Sequence, residues 1–254
     1  MNEMRRFESK VALVTGGNAG IGKATALAFA REGAKVVITA RREPEGVAAV
    51  KEIEAAGGVA SFVRADVAVE ADVVRAIEHT ISKYGRLDVV FNNAGIEGKN
   101  GPIDTLTSAD FDETFAVNVR GAWLVMKYAL PHLAKTKGSI VNNSSVAADM
   151  GLAGTTIYAP SKGAISTLTR TAAIEFIKSG VRVNQVSPGP IETDMGARFF
   201  GSVENMRGFA KSAVPSGVPG SSADIAAAVL YLASPEAGFV VGQSLSVDGG
   251  LIAQ

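Results

Sequence analysis

Three side chains near the middle of the chain could together move a proton. Ser145 closes the run Gly138-Ser139-Ile140-Val141-Asn142-Asn143-Ser144-Ser145, and Tyr158 and Lys162 stand four apart in Tyr158-Ala159-Pro160-Ser161-Lys162. The first run reads as a short buried strand ending in small polar residues. The second puts a phenol and an amine on one face of a helix. A hydroxyl, a phenol and a cation can therefore meet, a grouping suited to acid–base chemistry on a carbonyl or an alcohol. A free tyrosine ionises near pH 10. A cation about 4 Å away, at an effective dielectric of about 20, favours the phenolate by roughly 4 kcal/mol, about three pK units before desolvation is subtracted. The expectation is a Tyr158 made acidic by Lys162 and able to work near pH 7, with Ser145 bonding the same substrate oxygen. Spacing alone does not separate this from a solvated helix face.

These residues need a scaffold, and the N-terminal third supplies a recognisable piece of one. Lys10 to Thr15 is a β-type run that opens onto Thr15-Gly16-Gly17-Asn18-Ala19-Gly20-Ile21-Gly22, and Ala24 to Ala30 then reads as a packed helix. Strand, glycine turn and helix is the context of a phosphate-cradling loop, in which open backbone N–H groups and the helix N-terminus face a pyrophosphate. The spacing leaves three residues between the first two glycines, unlike the common G-x-G-x-x-G. A turn needed only for tight packing is the alternative. Gly33 closes the helix and Lys35 to Ala40 forms a second strand, completing a βαβ unit. An NAD site would place an acid at this strand end to bind the ribose 2′-hydroxyl. Here the end is Ala40-Arg41-Arg42. Two guanidiniums that could clamp a 2′-phosphate favour NADP(H) over NAD(H), unless both are simply solvated.

The remaining chain alternates in the same way. Pro44 to Ala56 is expected to be a helix and Val59 to Arg64 a third strand, with Asp66-Val67 at its exit either meeting an adenine or capping the next helix. Glu70 to Tyr84 is a helix stopped by Gly85. Leu87 to Phe91 is a strand opening into Asn92-Asn93-Ala94-Gly95, whose small residues admit either a cofactor or a plain Asn-rich turn. A long helix is expected from Thr107 to about Lys135, with a bend, its stripe Phe111, Phe115, Val119, Trp123 and Met126 taken as core. Asn118, polar within it, needs a partner or a role. Thr155 to Lys178 is the helix of Tyr158 and Lys162. Val181 to Val186 is a strand leading into the rigid turn Ser187-Pro188-Gly189-Pro190-Ile191-Glu192-Thr193. Residues 191–218 lack a strand signal and read as a mobile lid over the site. Ser222 to Ala233 is a last helix and Gln243 to Val247 a last strand. With no linker or repeat in 254 residues, the expectation is one α/β domain, a doubly wound parallel sheet of Rossmann type with helices on both faces.

Composition narrows the chemistry. Basic and acidic residues number 25 each, and no basic–aromatic interleaving suggests a nucleic-acid groove. With no cysteine, disulfides, thiolate metal sites and cysteine nucleophiles are excluded. His79 and His132 are too far apart to suggest a metal. The stretch Met1 to Lys10 does not read as a targeting segment, and no run approaches the ~20 apolar residues of a membrane span, so a soluble, cytoplasmic protein is expected.

The glycine run, Asn92-Asn93-Ala94-Gly95, Ser145, Tyr158, Lys162 and Ser187-Pro188-Gly189 stand in one order, and together they closely resemble the short-chain dehydrogenase/reductase family in its single-domain form. The resemblance runs from about Lys10 to Gly250. It implies that Tyr158 is the general acid or base, that Lys162 lowers its pKa and holds the nicotinamide ribose, and that Ser145 orients the carbonyl. Asn118 would hold a water in a proton relay behind the lysine. Gly16, Gly20 and Gly22 match the family's cofactor glycines, with Asn18 and Ile21 between them. Asp66 with Val67 matches an adenine contact, and Asn92 a position under the adenine ribose, followed by Ala94 and Gly95. Pro188, Gly189, Ile191 and Thr193 fall near the nicotinamide. A homotetramer is implied by the tail Val247-Asp248-Gly249-Gly250. Asn143 departs from the pattern, since the family usually has an aliphatic residue there. The family's enoyl reducers space Tyr and Lys seven apart, so a spacing of four argues for ketones and alcohols.

The expected function is hydride transfer between NADP(H) and a ketone or secondary alcohol. The phenyl and thioether groups of the lid, with Met150, Leu152 and Ile157, suggest a largely apolar substrate, and Arg198 and Arg207 are the cations that could turn inward. An NAD-dependent sugar or polyol dehydrogenase is the rival enzyme, and a nucleotide-binding sensor the rival outside catalysis. A methyltransferase would want an acid where Ala40 stands.

Overall fold

The computed structural model describes residues 5–254; Met1 to Met4, part of the stretch read above as non-targeting, lie outside the described residues. Seven strands, the central ones short apolar runs buried on both faces and the two at the sheet edges partly exposed, form one parallel sheet. They are β1 (Val11–Thr15), β2 (Lys35–Ala40), β3 (Val59–Arg64), β4 (Val89–Asn92), β5 (Ser139–Asn143), β6 (Arg182–Pro188) and β7 (Ser244–Val247), ordered β3-β2-β1-β4-β5-β6-β7. After β3 the chain crosses to the far side of β1 to lay down β4, so the direction of winding reverses between β1 and β4. Loops leaving the two strands diverge there and open a crevice at their C-terminal ends.

Helices cover both faces. On one, α1 (Gly20–Arg31), α2 (Glu43–Ala55) and α9 (Ser222–Ala233) close over a core that includes Val14, Phe29, Ile38, Phe91 and Val229. On the other, α3 (Glu70–Tyr84), α5 (Ala122–Thr136) and α6 (Tyr158–Phe176) pack over Leu13, Leu87, Val90, Leu124 and Ile140. The bend expected in the long helix is a π turn, Ala116–Gly121, between α4 (Ser108–Phe115) and α5. Such an insertion commonly marks a functional site, and this one carries Asn118.

One expectation is corrected here. The stripe Phe111, Phe115, Val119, Trp123 and Met126 is not core as a whole. Met126 is buried, but Phe111 is 44% and Trp123 47% exposed, while Phe115 and Val119 are half-buried. The buried face of the helix instead carries Val117, Leu124, Val125, Ala129 and Leu133. Periodicity reveals an apolar face but not which neighbour covers it. Residues 191–218, expected to lack a strand, are largely helical. They hold α7 (Asp194–Phe200), capped by the Thr193 hydroxyl, and α8 (Val203–Ala213), capped by Ser202, with Met206 and Ala210 fully buried.

Candidate active site

A cleft of about 640 Å³ opens at the C-terminal edge of the sheet. Its floor at one end is the turn after β1. Gly16 and Gly20 have φ of +63° and +50°, and a Cβ on Gly22 would lie 2.2 Å from the Gly16 carbonyl oxygen. Only glycine lets α1 begin this close to the turn. Ala19 gives α1 no side-chain cap and its first turn carries no acid, so its N-terminal N–H groups stay available to an anion. These residues fit the diphosphate of a dinucleotide. Thr15 ties the turn to β4 by accepting from the backbone N–H groups of Asn93 (2.9 Å) and Ala94 (3.0 Å).

The expected cofactor residues gather on this cleft with one exception. Gly16, Asn18, Gly20, Ile21, Gly22, Arg41, Arg42, Asp66 and Val67 line its outer part, and Ala94, Gly95, Pro188, Gly189, Ile191 and Thr193 its inner part. Arg41 and Arg42 project to solvent at the rim, Arg41 3.9 Å from Asp66 and Arg42 3.1 Å from Glu45. Asp66 also accepts from the Ala68 N–H at 3.0 Å, so it serves as a turn cap whatever else it meets. Asn92 is the exception and is corrected. It is buried on the opposite face, donating to the Ala122 carbonyl (3.0 Å) and to Asn142 Oδ1 (3.1 Å), and does not line the cleft. Asn93 stands there instead, donating to the Thr15 and Gly16 carbonyls and accepting from Asn143 Nδ2 at 3.0 Å. Strand alternation held the signal: Asn92 pairs in register with Asn142, so both point one way and their successors the other.

Ser145, Tyr158 and Lys162 meet at the inner end. Tyr158 is the first residue of α6 and Lys162 lies one turn on, its Nζ 5.7 Å from the Tyr158 ring centroid. Lys162 is buried, donates to the Asn143 carbonyl at 2.8 Å, and has its own carbonyl held by the Ser144 hydroxyl at 3.0 Å. Asn118 does not face the cleft. Its side chain accepts from the Ile96 N–H (2.8 Å), donates to the Ile96 carbonyl (2.9 Å), and donates to Ser161 Oγ (3.0 Å), which in turn donates to the Tyr158 carbonyl at 2.7 Å. Asn118 therefore clamps the loop after β4 to the first turn of α6. Asn143, the departure noted in the sequence, leaves its Oδ1 buried without a partner beside the lysine.

The electrostatics differ from the expectation. Burial pushes the Tyr158 phenol up to about 12; a hydrogen bond with Ser145 pulls it down and the Glu97 carboxylate pushes it up further. Burial also lowers Lys162 to about 8. The lysine is thus not what sets the phenol here, because desolvation penalises both charged forms. At neutral pH the phenol keeps its proton and most lysines are charged.

The remaining wall is apolar. Met150, Leu152, Phe199, Phe200, Phe209 and Leu251 line it. Tyr158, Phe199, Phe200 and Phe209 form a chain of rings with centroids 5.7, 5.2 and 5.0 Å apart. Of the two candidate cations, Arg207 pairs with Glu192 and does not line the cleft, whereas Arg198 lines it and is held by Glu97. Glu97 and Leu251 had no motif to mark them. Among the described residues no group of acidic or histidine side chains could hold a metal ion.

A family model described as "Enoyl-(Acyl carrier protein) reductase" matches residues 16–252. The chain is 40% identical over 254 residues to a secoisolariciresinol dehydrogenase from Forsythia intermedia, covering 97% of this chain and 90% of the relative. The crystal structure of a levodione reductase superposes with a TM-score of 0.94 at 33% identity, covering 98% of this chain and 99% of the other. A short-chain type dehydrogenase/reductase from Mycobacterium ulcerans gives 0.93 at 34%, covering 98% and 91%.

Proposed function

The chain belongs to the short-chain dehydrogenase/reductase family, and on that premise we propose that it is an NADP(H)-preferring reductase of ketones with largely apolar substituents, run in reverse as a secondary-alcohol dehydrogenase. The observation that carries this reading is the meeting of Ser145, Tyr158 and Lys162 at the inner end of the cleft, with the Lys162 Nζ 5.7 Å from the Tyr158 ring centroid and the ring of Phe199 packed on Tyr158. A bound nicotinamide would supply the hydride. Ser145 would hold the substrate oxygen, and Tyr158 would give its proton to that oxygen as charge develops on it. Lys162, anchored on the Asn143 carbonyl, would place a positive charge beneath the transfer. The family model's description names enoyl reduction, but the four-residue spacing of Tyr158 and Lys162 supports carbonyl chemistry.

Arg41 and Arg42 support the choice of NADP(H). Both stand at the rim beyond Ala40, a strand end that carries no acid of its own, and each is exposed and only loosely engaged, Arg41 with Asp66 at 3.9 Å and Arg42 with Glu45 at 3.1 Å. The deciding measurement is kcat/KM with NADPH against NADH, followed at 340 nm over a panel of ketones, keto esters and sugars. NADPH with apolar ketones should lead. A preference for NADH with sugars would favour the polyol dehydrogenase instead, which the ring-lined wall does not support.

A homotetramer fits the surface. Exposed apolar side chains stand on α4 and α5 (Phe111, Trp123), at the end of α6 and just after it (Ile174, Ile177), and on and after α9 (Tyr231 and the fully exposed Phe239). Exposed apolar side chains on more than one side of a chain are what a closed tetramer with dihedral symmetry would cover. Light scattering should return four chains, and Trp123→Glu should return fewer.

A further inference from the structure

The Glu97–Arg198 pair bridges two walls of the cleft that are 101 residues apart in sequence. Arg198 Nε donates to Glu97 Oε1 at 2.6 Å and Nη2 to Oε2 at 3.4 Å, a two-point contact. Glu97 is the less exposed partner, its side chain 18% accessible against 60% for Arg198, and both line the cleft. The two ends are unequally fixed. Glu97 follows Ile96, whose N–H and carbonyl are both held by Asn118. Arg198 rides on α7, a helix of seven residues that ends at Gly201, and the next residue, Phe199, puts its ring on Tyr158. The ion pair thus anchors a short helix to a fixed loop at the point where that helix supplies the substrate wall.

We propose that Glu97 and Arg198 set the charge specificity of the substrate pocket: locked together, they keep the Arg198 guanidinium from a substrate carboxylate and hold Phe199 over Tyr158, so that the pocket takes uncharged carbonyl compounds. This rests on the carbonyl-reductase reading. A guanidinium released from Glu97 would face the cleft with its two-point donor geometry free, and that geometry matches a carboxylate. A guanidinium held by Glu97 has its Nε edge occupied and its charge balanced by the carboxylate, and an anionic substrate would meet the Glu97 charge as well.

The test compares a phenyl keto ester with the matching phenyl keto acid, in the wild type, Glu97→Gln and Arg198→Met. The ester should be the better wild-type substrate. Glu97→Gln should shift the acid-to-ester ratio of kcat/KM toward the acid at least tenfold, and Arg198→Met should not. A ratio in Glu97→Gln within twofold of the wild type overturns the proposal. Amide hydrogen exchange over residues 194–200 of the cofactor-free protein gives a readout that needs no turnover. Exchange should rise in both variants, and unchanged exchange in both overturns the anchoring role. If the wild type reduces neither compound, the carbonyl-reductase reading falls, while hydrogen exchange still decides whether the pair anchors α7.

Discussion

The two walls of the inner cleft are held in different ways. The wall that bears Tyr158, Lys162 and Ser145 is fixed by side chains gripping backbone: Asn118 on Ile96, Ser161 on the Tyr158 carbonyl, Ser144 on the Lys162 carbonyl, Lys162 on the Asn143 carbonyl. The wall built by α7 and α8 meets it through one tilted ring contact, Phe199 on Tyr158, and one ion pair, Arg198 with Glu97. Proton transfer tolerates little misplacement, and the reacting groups are tied to backbone atoms of β5, of the first turns of α6 and of the loop after β4. Selection among substrates needs only a shape, which packing can supply and substitution can alter.

Four variants would break or sharpen that contrast. Tyr158→Phe removes the donor and should lower kcat by about 10³ or more, with cofactor binding by fluorescence titration retained. Lys162→Met should lower kcat by roughly 10²-fold, yet it should stabilise the fold at pH 7 by a few kcal/mol at most, read as a higher Tm. The sign follows from the lowered folded value of about 8. Below pH 8 the lysine is charged in both folded and unfolded chains and its burial penalty is fully present. Between pH 8 and its unfolded value near 10.5 the penalty is relieved, so the wild type should gain stability and the Tm gap should close.

Asn118→Leu leaves the Ile96 N–H and carbonyl without their partner. It should cost about 1–3 kcal/mol of stability by denaturant unfolding, and kcat should fall about tenfold with KM for the ketone nearly unchanged. Phe199→Ala, on the other wall, should do the reverse: a KM for apolar ketones raised severalfold, kcat within about threefold, and little change in Tm. Equal effects of these last two on kcat would erase the distinction between the walls.

Much of the fold was legible because parallel strands buried on both faces read as apolar runs. The run expected at Lys10 to Thr15 is the strand Val11–Thr15, Lys35–Ala40 is a strand as expected, and the last helix is Ser222–Ala233 as read. The site was legible where a residue type is demanded by a backbone conformation or by chemistry, as at Gly16, Gly22, Tyr158 and Lys162. It was not legible where two like residues differ only in direction. Asn92 and Asn93 are the same amide on opposite faces, and only the pairing of Asn92 with Asn142 separates them. The acidity of Tyr158 was not legible either, because the spacing shows the cation but neither the depth of burial nor Glu97, both of which push the phenol up.

Because all seven strands run parallel, every loop that touches the cleft leaves the same edge of the sheet. The opposite edge carries only short returns, such as those at Ala56 and Lys178, both solvent-facing. In a chain free of sulfhydryls, a single thiol introduced at either position would be unique. Tethering the enzyme there to an electrode or a resin would leave its mouth facing the bulk, and turnover on the support should match turnover in solution.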